Sequence, residues 1–351
     1  MIKKILLKNF KCFKNEEVCF KPMTVLTGVN SAGKSTVIQA LLLYEACKKY
    51  QDGEMLNASK LLEINIGSPR NLVSQNYEEC EHGDFEISVD GEAIGFHVSR
   101  ENAIDFYKTT LGKAAVTERN LNYLNAERIG PRMFYEIGKV DQIEMNGSNA
   151  SYLMERADNE KMRIPGELMV NQESLKFSYQ VECWMSLIMG NVKLDTFLDT
   201  DKAQTELKFK NDYTDTPVLP TLTGFGLSYE LSVVVAGLWV AAKKEGILVV
   251  ENPEAHLHPS AQSMIGKFLA MVSYTGVQVI VETHSEHIID GMRIQACALE
   301  NVSDLQINYL KFGEDAPEII QISVDKKGEL SEWPEGFFDQ KQQDLRKLFS
   351  K

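Results

Sequence analysis

Among these 351 residues nothing is spaced like a metal finger or a disulfide frame. The six cysteines, Cys12, Cys19, Cys47, Cys80, Cys183 and Cys297, are scattered, with no C-x-x-C pair and no histidine at zinc-finger spacing. A reducing, cytoplasmic setting is the expectation. A bilayer-spanning run of about 20 apolar residues is also missing. The longest apolar stretch, LSVVVAGLWVAA at 231–242, falls short of it, and the lysine-broken start MIKKILLKNFKCF lacks the apolar core of a signal peptide. No membrane partner is expected. Positive charge is in deficit: 37 Lys and Arg face 50 Asp and Glu, for a net charge of −13. That balance argues against a surface that binds nucleic acid everywhere, because each phosphate contact needs a cation. A local basic patch remains open at the N-terminus, where Lys3, Lys4, Lys8, Lys11, Lys14 and Lys21 outnumber Glu16 and Glu17; solvated strand faces and turn positions are the simpler reading. Internal repeats and low-complexity segments are lacking, as is a Ser or Cys nucleophile with His and Asp partners.

What is present is ordinary globular material, 44% hydrophobic and 25% charged, long enough for one large domain with insertions or two compact ones. KKILLKNFKCF and EEVCFKPMTVLTG run in strand fashion, and KSTVIQALLLYEACKKY after Gly33 has helical spacing. Residues 84–110 read as short strands joined by the turns DGE and SREN. Residues 111–215 are mixed, with a helix expected near 174–190. Helical pattern returns at 227–243, a buried strand at 246–251, a helix at 260–272, a buried strand at 277–284 and a helix near 286–299. Strands alternating with helices and ending in polar loops predict a largely parallel sheet with ligands at the strand ends. The final FFDQKQQDLRKLFSK predicts an amphipathic helix, a docking or packing element.

The first chemical motif is GVNSAGKST, in which Gly28, Gly33, Lys34 and Ser35 satisfy G-x-x-x-x-G-K-[ST] between a predicted strand and a predicted helix. Glycines let backbone N–H groups wrap phosphates, the lysine reaches the β/γ-phosphates, the serine can ligate Mg²⁺, and the helix N-terminus adds its dipole. Gly28, Asn30, Ser31, Ala32, Gly33, Lys34, Ser35 and Thr36 are therefore candidate ATP contacts, with Ser35 a candidate Mg²⁺ ligand. The second motif is ILVVENPEAHLHP at 247–259. In P-loop ATPases the buried strand beside the P-loop strand ends in an acid that holds Mg²⁺, and Glu251 is the candidate. The next position, often a glutamate that polarises the attacking water, is Asn252. Glu254 either takes that role or braces the loop carrying His256 and His258. Those histidines are expected to hydrogen-bond within that loop, at an interface between copies, rather than to bind metal.

ENPEAHLHP resembles the EEPExHLHP segment of ABC-type ATPases related to RecF, SMC proteins and the OLD nucleases. LTGFGLSYELSVVV at 222–235 is similar to that group's signature loop, and VIVETHSEHIID at 279–290 to its switch strand. LLKNFKCF resembles the opening strand, while LNAERIGPR at 124–132 and WPEGFFDQ at 333–340 resemble segments of a bacterial AAA-type subgroup. The resemblance covers about 1–75 and 220–351. It implies an α/β ABC-ATPase head with a largely parallel sheet, N-terminal strands and an α+β insertion: 1–80 and 216–330 form the head, 81–215 the insertion, and 331–351 a helical tail. It further implies that Gly226 and Ser228 face the γ-phosphate of ATP on a second copy, that His284 senses that phosphate, that Lys11 approaches the nucleotide, and that Gln75 belongs to a Mg²⁺-contacting loop. Arg128 and Arg132 carry no assigned role.

No sustained heptads lie between the P-loop and the signature loop, so a long SMC-type coiled coil is not expected. Nothing follows the helix near 340–350, so the nuclease domain of the OLD enzymes is not expected in this chain either. The resemblance implies a homodimer closing on ATP and Mg²⁺ that switches an effector, such as a nuclease in antiviral defence or DNA repair. The alternatives are an ATP-dependent scaffold with little hydrolysis, to which Asn252 points, and a DNA clamp.

Overall fold

Continuous apolar runs have no solvent face, so they pair where a sheet is covered on both sides. The computed structural model describes residues 1–57, 61, 68–75, 83–99, 105–111, 119–139, 141–244 and 246–349. Cys80, residues 65–67 ahead of Gln75 and residues 100–102 of the SREN turn lie outside them. In chain order the strands are Lys4–Phe10 (β1), Phe13–Cys19 (β2), Met23–Gly28 (β3), Met55–Asn57 (β4), Phe85–Val89 (β5), Glu92–Val98 (β6), Asp105–Leu111 (β7), Leu121–Leu124 (β8), Tyr135–Glu136 (β9), Val192–Asp199 (β10), Gln204–Asn211 (β11), Ile247–Glu251 (β12), Gln278–Glu282 (β13), Leu305–Phe312 (β14) and Pro317–Ser323 (β15). The helices are Lys34–Cys47 (α1), Ala150–Asn159 (α2), Phe177–Met189 (α3), Phe225–Lys243 (α4), Pro259–Tyr274 (α5), Glu286–Ala298 (α6) and Gln340–Phe349 (α7). Each predicted helix and strand with stated limits forms within about three residues of those limits, the usual uncertainty of element ends.

A sheet of order β15-β14-β3-β13-β12-β8 carries the site. Its strands pair in parallel from β14 through β8, and β15 adds an antiparallel edge. Alternate residues serve its two faces: Leu248, Val250, Val279 and Val281 join the core beneath the helices, while Ile247, Val249 and Ile280 join the core shared with β1, β5 and α1. That double burial is why ILVV and VIV read as unbroken apolar runs.

The strand order corrects one expectation. Glu251 ends β12, but β12 does not border the P-loop strand. β13 lies between them, pairing with β3 on one side and β12 on the other, so the acid that ends the strand next to the P-loop strand is Glu282.

The domain limits also need redrawing. β5, β6 and β7 extend the antiparallel sheet β2-β1-β5-β6-β7-β4, and β8 completes the parallel sheet. Residues 85–124 thus contribute two strand groups to the sheets that the ends of the chain build, so an insertion beginning at 81 does not match the topology. The separate α+β layer consists of β10-β11-β9 with α2 and α3 packed on β10.

α4, with 19 residues, is the one helix among the described residues long and apolar enough to span a membrane. Every residue from Gly226 to Ala241 except Tyr229 is buried in this chain, so its apolarity is satisfied by the core. α7 contributes no buried residue and leaves Leu348 and Phe349 exposed.

Candidate functional site

The loop between β3 and α1 is shaped for close approach. Gly28 has φ 134°, and a Cβ there would run into the carbonyl of Leu310; Gly33 has φ 99°, and a Cβ there would meet the Phe13 ring at 2.8 Å and Cys12 Sγ at 2.9 Å. Ser31 adopts φ 64°. Gly33 is also the N-cap of α1 and supplies no side-chain cap, which leaves first-turn N–H groups directed at whatever occupies the loop. Lys34 opens this helix. Only 4% exposed, it donates from Nζ to the carbonyls of Gly28 at 3.0 Å and Val29 at 2.9 Å. Burial lowers its proton affinity, and the Glu282 carboxylate, 4.0 Å away, opposes that shift. Asn30 and Ser31 are exposed, Ala32 is buried, and Ser35 and Thr36 are half-buried in the first turn.

Glu282 reaches this loop, 4.0 Å from Lys34 Nζ, and Glu251 is its register partner at the end of the next strand. Glu251 Oε2 accepts from the Ala126 N–H at 3.3 Å, and Tyr123 also hydrogen-bonds this carboxylate. Burial raises the proton affinity of Glu251. Burial likewise raises that of Glu282, with repulsion from Glu251 adding to the shift and Lys34 opposing it. A buried site with more acid than base suits a cation, so the donor set of Ser35 and Glu251 fits Mg²⁺.

The ENPEAHLHP loop ties itself to its neighbours. Asn252, at φ 45°, donates its N–H to the Glu282 carbonyl at 2.8 Å. Asparagine tolerates this left-handed backbone better than most residues. Both Glu254 oxygens are occupied: Oε2 accepts from Thr283 Oγ1 at 2.7 Å and Oε1 from the His284 N–H at 2.6 Å. Of the two roles open for Glu254 in the sequence, this geometry matches the brace. The His284 side chain, 42% exposed, turns Nε2 to within 3.8 Å of Glu282 Oε1. Burial, with Lys34 nearby, lowers its pKa, against an opposing pull from Glu254. His258 caps α5, its Nδ1 lying 2.9 Å from Ser260 Oγ, while His256 packs edge-on against Tyr229 at 4.8 Å and near Phe225 at 5.4 Å.

Arg128 is the residue that local sequence leaves without a role. Buried, it donates from Nη1 to the Glu251 carbonyl and from Nη2 to the Asn252 carbonyl, each at 2.6 Å, and lies over the Tyr229 ring at 5.3 Å. It thereby joins the end of β12 to the first turns of α4. Ser228, in the first turn, is buried with an unpartnered hydroxyl, and Gly226 lies against the His256 carbonyl. Two residues on, Glu230 is fully buried with neither oxygen paired, and burial pushes its carboxyl up to about 8. Arg132 turns elsewhere, donating to the Pro131 carbonyl.

A cleft of about 540 Å³ opens beside Ser31, lined by Lys11, Gln75 and the 312–317 turn. Lys11 Nζ donates to Gln39 Oε1 at 2.5 Å on its rim. Lys11, Ser31 and Gln75 are therefore brought together, while Gly226 and Ser228 sit with the His256 loop and Arg128. Glu282 and Arg128 are the two residues that sequence reasoning passes over. Glu282 gives the same signal as Glu251, an acid ending an apolar run; Arg128 is marked only by the resemblance of LNAERIGPR.

A loop of backbone donors, a buried lysine and a cation-accepting pair of acids form the constellation of phosphoryl transfer. The protein-family model for the AAA ATPase domain matches residues 1–215 and 149–289, and a family described only as of unknown function (DUF3696) matches 301–348. The chain is 20% identical over 85% of its length to an OLD nuclease of Thermus scotoductus, and 23% identical over 85% to the Old nuclease of Escherichia phage P2. It spans 62% and 59% of those two proteins. Among solved structures, an SMC head bound to the C-terminal winged-helix domain of ScpA aligns over 93% of this chain and 99% of that one, with TM-score 0.59 and 13% identity. A Pyrococcus furiosus Smc head with an extended coiled coil, bound to the C-terminal domain of ScpA, aligns over 99% of each with TM-score 0.56 and 12% identity. The chain belongs to the AAA ATPase domain family, as an ABC-type P-loop ATPase of the RecF/SMC/OLD group.

Proposed function

We propose that this chain binds ATP with Mg²⁺, closes into a homodimer around it, hydrolyses it slowly and thereby switches a partner effector. The observation that carries the reading is the Lys34 ammonium, held over its own loop carbonyls at the mouth of an uncapped helix, with Glu251 and Glu282 at the adjoining strand ends. On ATP entry Lys34 exchanges those carbonyls for β/γ-phosphate oxygens. Ser35, Glu251 and Gln75 are the residues we assign to hold Mg²⁺, which when bound neutralises charge on the phosphates. We assign His284 to meet the γ-phosphate. Glu254 locks the His284 backbone to the loop after β12.

The homodimer rests on the signature segment. Ser228 lies in the first turn of α4 with an unpartnered hydroxyl that is buried in the single chain, so this reading requires the turn to open toward a second copy's nucleotide. The curated relatives bear the name OLD nuclease, and on that ground we propose a nuclease-like effector; a cytoplasmic role in antiviral defence or DNA repair is proposed on the sequence resemblance alone. Asn252 supports a second reading, an ATP-held scaffold with little turnover. Direct DNA binding draws little support from the N-terminal lysines, since Lys4 pairs with Glu17 at 2.8 Å, Lys8 with Glu86 at 3.3 Å and Lys14 with Asp315 at 3.6 Å. ATP turnover of the purified chain, with and without DNA, tests the reading. Measurable hydrolysis supports the switch; tight binding without turnover supports the scaffold.

A further inference from the structure

We propose that Glu282 is the general base of hydrolysis, taking the proton that Asn252 cannot accept. The inference rests on the ATPase reading and names a residue for its chemical step. Four polar side chains at the ends of β12 and β13 compete for the role, and three are excluded by what they already do. Asn252 carries an amide, which has no useful basicity. Glu254 has both oxygens bound, by Thr283 Oγ1 and the His284 N–H. Glu251 accepts from the Ala126 N–H and from Tyr123, and it ends β12, one strand farther from β3 than Glu282.

Glu282 is differently situated. It ends the strand next to β3, is 4% exposed, and stands 4.0 Å from Lys34 Nζ and 3.8 Å from His284 Nε2. Those are the two side chains that mark the γ-phosphate, and both distances exceed a hydrogen bond, so Oε1 is uncommitted toward them.

The step balances. The oxygen of water forms a bond to the γ-phosphorus, the bond from that phosphorus to the β–γ bridging oxygen breaks with its electrons leaving on ADP, and the water proton moves to Glu282. The half-exposed His284 ring, with Nε2 3.8 Å from Glu282 Oε1, is the route by which the proton returns to solvent.

The test is single-turnover ATP hydrolysis by the full chain over a range of pH, with ATP affinity measured separately, for the parent, Glu282→Gln and Glu282→Asp. The proposal expects Glu282→Gln to lose about 10²- to 10⁴-fold in rate while ATP affinity is kept. Glu282→Asp should recover part of the rate, with the acid limb of the profile displaced to lower pH. Should Glu282→Gln fail to fold, the Asp variant decides through that displacement. A Glu282→Gln rate within a factor of about ten of the parent, ATP affinity lost along with the rate, or an unmoved acid limb in Glu282→Asp would overturn the base assignment alone. A parent that binds ATP and never hydrolyses it would overturn the ATPase reading as well.

Discussion

Arg128 holds Glu251 by its backbone: Nη1 of the arginine donates to the Glu251 carbonyl over 2.6 Å, at the point where β12 leaves the sheet. Nη2 does the same for Asn252, and the guanidinium plane rests over Tyr229 of α4. The end of β12, which carries Glu251, and the first turns of α4 are thus fastened by one side chain.

Arg128→Met is expected to destabilise the chain by about 2–4 kcal/mol, because two buried carbonyls lose a charged donor. Arg128→Lys should recover only part, since an ammonium cannot fork between the two acceptors. Denaturant midpoints for the three proteins check this. Equal midpoints would mean that the fastening carries no load.

Lys34→Ala is expected to abolish ATP binding in calorimetry. It removes the one side-chain cation that the loop aims at the β/γ-phosphates. The carbonyls of Gly28 and Val29 lose its hydrogen bonds as well, so a modest drop in thermal stability should accompany the loss. Unchanged affinity would contradict the assignment of this loop.

Glu254→Gln separates brace from base. An amide offers one acceptor where Glu254 uses two, so either Thr283 Oγ1 or the His284 N–H loses its partner. The expected outcome is a loss of turnover together with weaker ATP-driven association, because the His284 segment is released. A base would show loss of turnover with association kept.

Glu230 gives the protein a pH signature. Burial raises its carboxyl from 4.5 to about 8, against an opposing pull from Arg128. The folded state therefore holds this proton more tightly than the unfolded chain. The associated stability is complete below the ordinary glutamate range and is lost as pH rises toward 8. Glu230→Gln keeps the neutral form at every pH, so unfolding free energies should converge with the parent in acid and exceed it at alkaline pH, by an amount on the order of a few kcal/mol. Parallel stability curves for the two proteins from pH 5 to 9 would contradict the raised value.

Much of the fold was legible because its signals are local. The apolar run MTVLTG, the glycines and the helical spacing after Gly33 all lie within one strand–loop–helix unit, and ILVVE announces its buried acid. The order of strands is a different kind of information. Whether β12 or β13 borders β3 depends on crossovers that bring distant segments together, and no local pattern distinguishes ILVVE from VIVE. Hence Glu251 was placed one strand too near the P-loop, and Glu282 had no assigned part. The role of Arg128 was illegible for another reason: β8 is four residues long, too short for periodicity to reveal a strand, and two of the arginine's three carbonyl partners lie more than a hundred residues away. The limits of the insertion failed similarly, because antiparallel strands 85–111 read the same whichever sheet they extend.

The central claim, an ATPase that closes on itself around nucleotide, is tested most directly by the mass of the chain in solution with Mg²⁺ and ATP against Mg²⁺ and ADP, for the parent and for Ser228→Arg. Because Ser228 is buried in the single chain, the Ser228→Arg result counts only when its thermal midpoint and its ATP affinity match those of the parent. The account predicts a monomer in ADP, a doubling of mass in ATP for the parent, and no doubling for Ser228→Arg. A parent that stays monomeric in ATP, or a Ser228→Arg chain that doubles as the parent does, would contradict it.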